Sequence, residues 1–224
     1  MTFKIWHRQV VKKITPPSDF QLYIRVFTFG FLIAAAFYWY TTWLKIPNPL
    51  NKAFADTSIT LIGLSMLLSS VCYFWDFMDT KIIYRKHLGL VGFAFGLAHI
   101  LLSYNAITRL FTPQAWQNGI PLAPITGVLA AIIFAMMAVV SNQYAAHVLG
   151  GVTWRKILRT GYLAVVLVWL HVFFLKWIYV SRWIQGGMKT PPSSSVIVLL
   201  FMIVVIVMRG ALWFSLLKKQ RQKY

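Results

Sequence analysis

Two histidines lie inside long apolar stretches of the sequence, where an ionisable side chain is rare. Apolar residues surround both His99 and His171. An ionisable residue within a membrane-spanning segment is costly, and by default it marks a functional site that has a partner. The other three histidines lie in a basic tail, beside basic residues or in a loop region, and they are His7, His87 and His147. His99 and His171 are therefore the first candidates for chemistry.

Few other side chains are present that could carry chemistry. The chain has four acidic residues, Asp19, Asp56, Asp76 and Asp79, and no glutamate. Too few acidic residues are therefore present for most mechanisms that need paired carboxylates. The single cysteine, Cys72, excludes an intramolecular disulfide, a CxxC redox pair and a thiolate metal cluster. By elimination, side-chain chemistry falls mainly to histidine.

The composition is that of a protein whose solvent is a lipid bilayer. Of the 224 residues, 59% are hydrophobic and only 12% are charged, and the mean hydropathy is +0.67. Six apolar segments have the length of about 20 residues that a helix needs to cross about 30 Å of hydrocarbon. We predict an all-α fold, an integral membrane six-helix bundle, with spans near 23–44, 57–77, 87–107, 121–143, 158–180 and 194–215.

Basic residues orient the predicted bundle. The net charge is +18, but the lysines and arginines sit in clusters between apolar segments, which favours anionic lipid headgroups over nucleic acid as their partner. If both termini share one side, that side carries 16 lysines and arginines and the other side carries 6. The positive-inside rule then predicts a multi-pass cell-membrane protein with both termini cytoplasmic. We divide the chain into a basic N-terminal segment (1–22), the six-helix transmembrane domain (23–215) and a basic tail (216–224).

The two candidate histidines are predicted to lie at similar depth. The third and fifth segments both run outward from the cytoplasm. His99 lies 14 residues past Arg85, and His171 lies 12 residues past Arg159. At a rise of about 1.5 Å per residue, both lie about 18–21 Å from those basic anchors, on two parallel helices.

Two interpretations of this pair are open. Neutral imidazole is a good iron ligand, and bis-histidine ligation of heme needs facing nitrogens from two helices. Alternatively, each imidazole satisfies a hydrogen bond between helices. Gly89, Gly92 and Gly96 form one face of the third segment. These small residues would let either a flat macrocycle or a neighbouring helix come close to the backbone.

The motifs around the two histidines resemble a known family. The third segment reads RKHLGL at 85–90 and continues to His99, while WRKILRTGY at 154–162 leads into His171. These motifs resemble the ferric-reductase-like transmembrane domain, a superfamily that includes the STEAP metalloreductases, the NADPH oxidases and the heme-binding membrane subunit of a bacterial methionine sulfoxide reductase. The resemblance covers residues 81–178.

The resemblance implies a function in electron transfer. It implies a heme b between His99 and His171, which carries electrons across the membrane from a cytoplasmic donor. Members with two hemes have another histidine at the position of Leu158 in this chain. His87 on the third segment consequently has no evident partner, and we expect one heme and an interfacial role for His87.

The electron donor is expected to be a separate component. We expect the chain to be an oxidoreductase component without a flavin or nicotinamide domain of its own, since no glycine-rich dinucleotide fingerprint follows a strand. The candidate donors are a cytoplasmic flavin reductase, a quinol, or a flavin bound at the cytoplasmic face, and a reductase on the outer side is a candidate partner. Arg85, Arg155 and Lys156 are suited to bind a phosphate or a heme propionate. They are also what the positive-inside rule requires.

Two further functions compete with electron transfer. A transporter or channel could use the two histidines as a proton or metal relay. The lack of acidic residues within the predicted spans argues against it, since Asp76 is the only candidate and lies near a helix end. A structural or assembly subunit that binds a partner through the bundle is the third possibility.

Overall fold

The computed structural model describes residues 17–109, 112–117 and 119–221. Residues 1–16 of the predicted N-terminal segment, among them His7, and residues 222–224 of the tail lie outside that part. The described residues form helices and contain no strand, so the prediction of an all-α fold is confirmed. In chain order the helices are α1 (Asp19–Trp43), α2 (Pro49–Phe74), a 3-10 helical segment (Asp76–Tyr84), α3 (Arg85–Leu102), α4 (Tyr104–Thr108), α5 (Gln114–Gln117), α6 (Leu122–Val140), α7 (Gln143–Arg159), α8 (Gly161–Gln185) and α9 (Ser194–Arg221).

Local capping chemistry sets where the first two helices begin. Ser18 caps α1, because its hydroxyl accepts from the Gln21 backbone and the Gln21 side chain accepts from the Ser18 N–H. Helix α2 begins with Pro49 in its first turn, a position that proline favours because its fixed φ suits a helix start. Both helices therefore begin before the predicted spans at 23–44 and 57–77. Hydropathy marks only the apolar centre of a helix, so it misses the polar first turns.

Five helical stretches are long and apolar enough to cross a membrane. They are α1, α2, α6, the α7–α8 pair and α9. Many of their exposed side chains are apolar: Leu32 and Val139, for example, are 65% and 75% exposed. A surface of this kind fits a lipid bilayer. Helix α3, which contains most of the predicted span at 87–107, is not among the five, and it begins with Arg85 and Lys86. The count of six spans stays a prediction.

Helix α2 lies at the centre of the packing. It contacts α1, α3 and α9, while α6 packs chiefly against α8. Two clusters of buried apolar side chains meet at α2. One joins α1, α2 and α3 through Val26, Ala34, Leu61, Leu88, Val91 and Phe95. The other joins α2, α6, α8 and α9 through Ile62, Ala130, Phe134, Ala164, Val165, Val198 and Met202.

Consecutive long helices run in alternating directions, which gives the bundle two distinct ends. At one end α1, α3 and α8 begin, and Lys86 Nζ of α3 lies 3.2 Å from Asp19 Oδ2 of α1 there. We call this the basic end. At the opposite end, where α2, α6 and α9 begin, the hydroxyl of Tyr40 donates to the carbonyl of Pro192 at 2.6 Å.

The glycine face of α3 packs against α2. A Cβ atom added at Gly92 would lie 2.9 Å from Ile62 Cγ1 and 3.1 Å from the Ile62 backbone nitrogen. A Cβ at Gly96 would lie 2.9 Å from Ser58 Oγ, and one at Gly89 would lie 3.3 Å from Ser65 Oγ. Of the two uses left open for these glycines, close approach of a neighbouring helix is therefore the one observed.

Replacing Gly92 by alanine is expected to destabilise the α2–α3 interface by about 1–3 kcal/mol, because the added methyl group overlaps backbone that cannot rotate away. The measurement is the thermal unfolding midpoint in detergent. Gly210→Ala is the matched control, since no atom of the described residues lies within 4 Å of a Cβ at Gly210 in α9. Equal midpoints for the two variants would contradict this packing.

Candidate functional site

Helix α8 presents His171 to the first turns of α6. The Nδ1–H of His171 donates to the carbonyl of Ala123 over 2.7 Å. Gly127 makes room for the ring, because a Cβ there would lie only 2.6 Å from His171 Nδ1. A helix-to-helix hydrogen bond and a glycine thus hold the imidazole flat against α6.

Helix α3 presents His99 to the first turn of α2. The Nδ1–H of His99 donates to Asn51 Oδ1 over 2.6 Å. Asn51 is held in turn, because its Nδ2 donates to Ser103 Oγ over 3.0 Å. Ser103 follows the last residue of α3, so the support for His99 connects the end of α3 with the start of α2.

Both imidazoles are consequently held in the same tautomer. A carbonyl oxygen can only accept, so in each neutral ring the proton resides on Nδ1. The Nε2 of each ring then carries the lone pair, which can bind a metal or accept a proton. Histidines that bind metals in proteins almost always have an acceptor of this kind on the other ring nitrogen, since it fixes ring orientation and raises basicity.

The structure brings the two histidines into one region of the bundle. His99 lies within electrostatic range of His171. Helices α3 and α8 make little direct contact with each other, whereas α6 packs against both. The two imidazoles therefore come from helices that are separated by α6 and have little direct contact with each other.

Two imidazoles with free Nε2 atoms are the kind of donor set that a b-type heme takes from a protein. Among the residues that the structure describes, no three His, Cys, Asp or Glu side chains converge on a point that could hold a metal ion. A b-type heme needs only two axial ligands from the protein, because its macrocycle supplies the other four nitrogens. Two neutral imidazoles with Nε2 unprotonated are suitable axial ligands.

His87 lies apart from this pair, at the basic end. It is 2% exposed, its Nδ1–H donates to the Ile83 carbonyl over 3.1 Å, and its ring meets Tyr23 edge to face. Its Nε2 lies 3.5 Å from Asp19 Oδ1. His87 is therefore buried between α3 and α1, with an acidic neighbour. The prediction that one heme binds, and not two, remains untested.

Arg85, Arg155 and Lys156 also lie at the basic end. All three are exposed, and none forms a salt bridge within the described part of the chain. Arg85 is the first residue of α3, about 21 Å along the helix from His99. The structure thus does not bring these residues together with the imidazoles, and their binding of a phosphate or propionate stays a prediction.

Three polar residues at the start of α2 were not among the candidates identified from the sequence. Asn51 supports His99, and Lys52 and Asp56 form an ion pair of 3.8 Å within the same helix. Asp56 is 5% exposed, so the expectation that Asp76 was the only acidic candidate in a span was wrong. The signal was available, because Pro49 after Asn48 marks a helix start that places all three residues inside α2.

No family model matches the chain. The resemblance to the ferric-reductase-like transmembrane domain therefore rests on the motifs at 85–90 and 154–162 and on the two histidines that follow them.

Proposed function

We propose that this chain is a membrane electron-transfer protein that holds one heme b between His99 and His171, as the membrane subunit of a reductase. The observation that carries the proposal is that both imidazoles have the same tautomer and the same kind of hydrogen bond. Each comes from a different helix, and each donates Nδ1–H to a protein oxygen over 2.6 or 2.7 Å. Each is thereby left with Nε2 available as a ligand.

The protein would contribute orientation and insulation, and the bound heme would supply one-electron redox chemistry. Asn51 and the Ala123 carbonyl would fix the tautomer and the ring orientation of the two ligands. Gly127 allows the His171 ring to lie against α6. Apolar side chains that precede His171 in α8, among them Leu167 and Trp169, pack against the core of α6 and α8 and would help to exclude water there.

In this proposal the basic end faces the cytoplasm. Electrons enter there from a flavin reductase, a quinol or a bound flavin, and they leave toward an acceptor or reductase partner at the opposite end. Support comes from the excess of lysine and arginine at the basic end and from the position of both histidines nearer the opposite end. Arg85, Arg155 and Lys156 are exposed where an anionic donor group would approach.

A reduced-minus-oxidised absorption spectrum of the purified protein tests the proposal. The expected result is a low-spin, bis-histidine spectrum with one heme per chain. A colourless protein, purified from cells supplied with heme, would overturn it. Two hemes per chain would retain the function but contradict the single-heme prediction.

Asn51→Ala is expected to weaken heme binding by about 10- to 100-fold, because a lost outer-shell acceptor leaves the His99 ring free to rotate and change tautomer. Heme content after dilution and the midpoint potential are the measurements. Asn105→Ala provides a control, as Asn105 is an exposed amide in α4. Unchanged heme content and potential in Asn51→Ala would contradict the role of Asn51.

A proton-relaying transporter or channel is the second candidate function. Asp56 removes the main objection to it, because a buried carboxyl does lie within a helix that is long enough to span a membrane. This function predicts pH-dependent flux in vesicles and no heme, so the same absorption spectrum separates the two candidates.

A further inference from the structure

Asp56 is the buried one of the four acidic residues of the chain. All four acids of the chain lie in the described part, and Asp19, Asp76 and Asp79 are exposed. Asp56 is 5% exposed and lies seven residues into α2, about 10 Å from the helix start. A carboxyl group at such a place is costly unless its surroundings stabilise it, and it marks a functional site by default.

Charged and polar side chains from three helices surround Asp56. Lys52, one turn earlier in α2, places Nζ 3.8 Å from Asp56 Oδ2. Lys176 of α8 lies within electrostatic range. The first residues of α9, Ser194 and Ser195, are both buried, and the positive end of the α9 dipole favours negative charge there. Helix α1 carries its charged residues at the basic end, and the titratable group that α3 brings to this region is His99, which contacts Asn51.

The hydrogen bonding of this cluster is incomplete. Lys52 Nζ donates to Ser195 Oγ, and at 3.8 Å it is too far from Asp56 Oδ2 for a hydrogen bond. Ser194 faces the Asp56 carboxyl, but neither Ser194 Oγ nor Asp56 Oδ2 makes a hydrogen bond of normal geometry within the described residues. A buried ion pair in which one carboxylate oxygen lacks a hydrogen bond contributes little to the stability of a fold. A hydroxyl hydrogen on Asp56 would have an acceptor available in Ser194.

The two protonation states of Asp56 are thus both supported. Lys52, Lys176 and the start of α9 favour the carboxylate, whereas burial favours the neutral acid. We propose that Asp56, with Lys52 as its counter-charge, is a proton-binding site within the membrane-spanning part of the bundle. The carboxylate takes one proton from water at the opposite end of the bundle, and the Lys52 cation stays bound to Ser195. This inference does not depend on heme binding.

Labelling with dicyclohexylcarbodiimide tests the proposal on the unmodified protein in lipid vesicles. This apolar reagent adds to protonated carboxyl groups, and peptide mass spectrometry then locates the acylurea or an amide formed with a nearby lysine. We expect labelling at Asp56 that falls about tenfold per pH unit once the carboxyl ionises. Absence of labelling at every pH, or labelling that pH does not change, would overturn the proposal and leave a permanently ionised, structural pair.

Three variants check the assignment. Asp56→Asn should abolish the label, whereas Asp79→Asn, which alters an exposed acid, should leave it intact. Lys52→Met should raise labelling of Asp56 at alkaline pH by about tenfold or more, because loss of the cation favours the neutral acid. Unchanged labelling in a folded Lys52→Met variant would contradict the pairing. The heme spectrum of Asp56→Asn is measured separately, so failure of this site and failure of heme binding are distinguishable.

Discussion

Replacing either His99 or His171 by alanine is expected to abolish the bis-histidine heme spectrum. Each variant removes one of the two imidazoles that would hold the heme, so the group would be bound more weakly. Loss of a residue that only supports a ligand typically weakens metal binding by about 10- to 100-fold. Loss of the ligand itself should cost no less, so we expect at least about tenfold less heme per chain after purification. Absorption spectroscopy and heme content per chain are the measurements.

Controls for this prediction come from the other histidines. His147→Ala alters an exposed residue of α7 and should keep the full spectrum. His87→Ala alters a buried residue at the basic end and should reduce stability without loss of the spectrum. Free imidazole should partly restore the low-spin spectrum of His99→Ala, since it can occupy the vacated ligand position. Full heme content in both ligand variants would exclude the proposed site.

Replacing Gly127 by alanine is expected to have the second largest effect, although Gly127 has no chemistry of its own. The new methyl carbon would lie 2.6 Å from His171 Nδ1 and 2.9 Å from His171 Cε1. The imidazole must therefore move off α6, which breaks its hydrogen bond with the Ala123 carbonyl. We expect a loss of about 1–3 kcal/mol in stability from overpacking and about 10- to 100-fold weaker heme binding.

The comparison with Gly210→Ala separates the local effect from a general one. Both substitutions exchange glycine for alanine inside an apolar helix, but within the part of the chain that the structure describes no atom lies within 4 Å of a Cβ at Gly210. Gly210→Ala should be neutral or slightly stabilising, because alanine is the better helix former. Heme content and the thermal midpoint are measured for both. A Gly127→Ala protein with normal heme and midpoint would show that His171 does not lie against α6.

Several properties follow from the sequence because they depend only on residues close together in the chain. Runs of apolar residues predict membrane-length helices wherever they pack, and the described residues are helical as predicted. A polar side chain inside such a run is recognisable without knowledge of its neighbours, which is why His99 and His171 were identified. Helix boundaries were less accurate, since capping by Ser18 and Pro49 extends α1 and α2 beyond their apolar centres.

The interactions of those side chains depend on which helices become neighbours. Asn51 supports His99 across 48 positions of the chain, and the Ala123 carbonyl supports His171 across the same separation. Neither partner has a local sequence signal, because an asparagine and a backbone carbonyl occur in many settings. The glycines of α3 were recognised as one face, but only the packing of α2 against them decided their use.

Burial likewise belongs to the tertiary structure. Asp56 lay just outside the predicted span at 57–77, and His87 was expected at the interface, yet both are buried, at 5% and 2% exposure. The sequence thus determined that this protein has membrane-length helices and two histidines able to act as ligands. The tertiary structure decided which oxygen holds each imidazole and which acid is enclosed, because both depend on the distance between helices that are far apart in the chain.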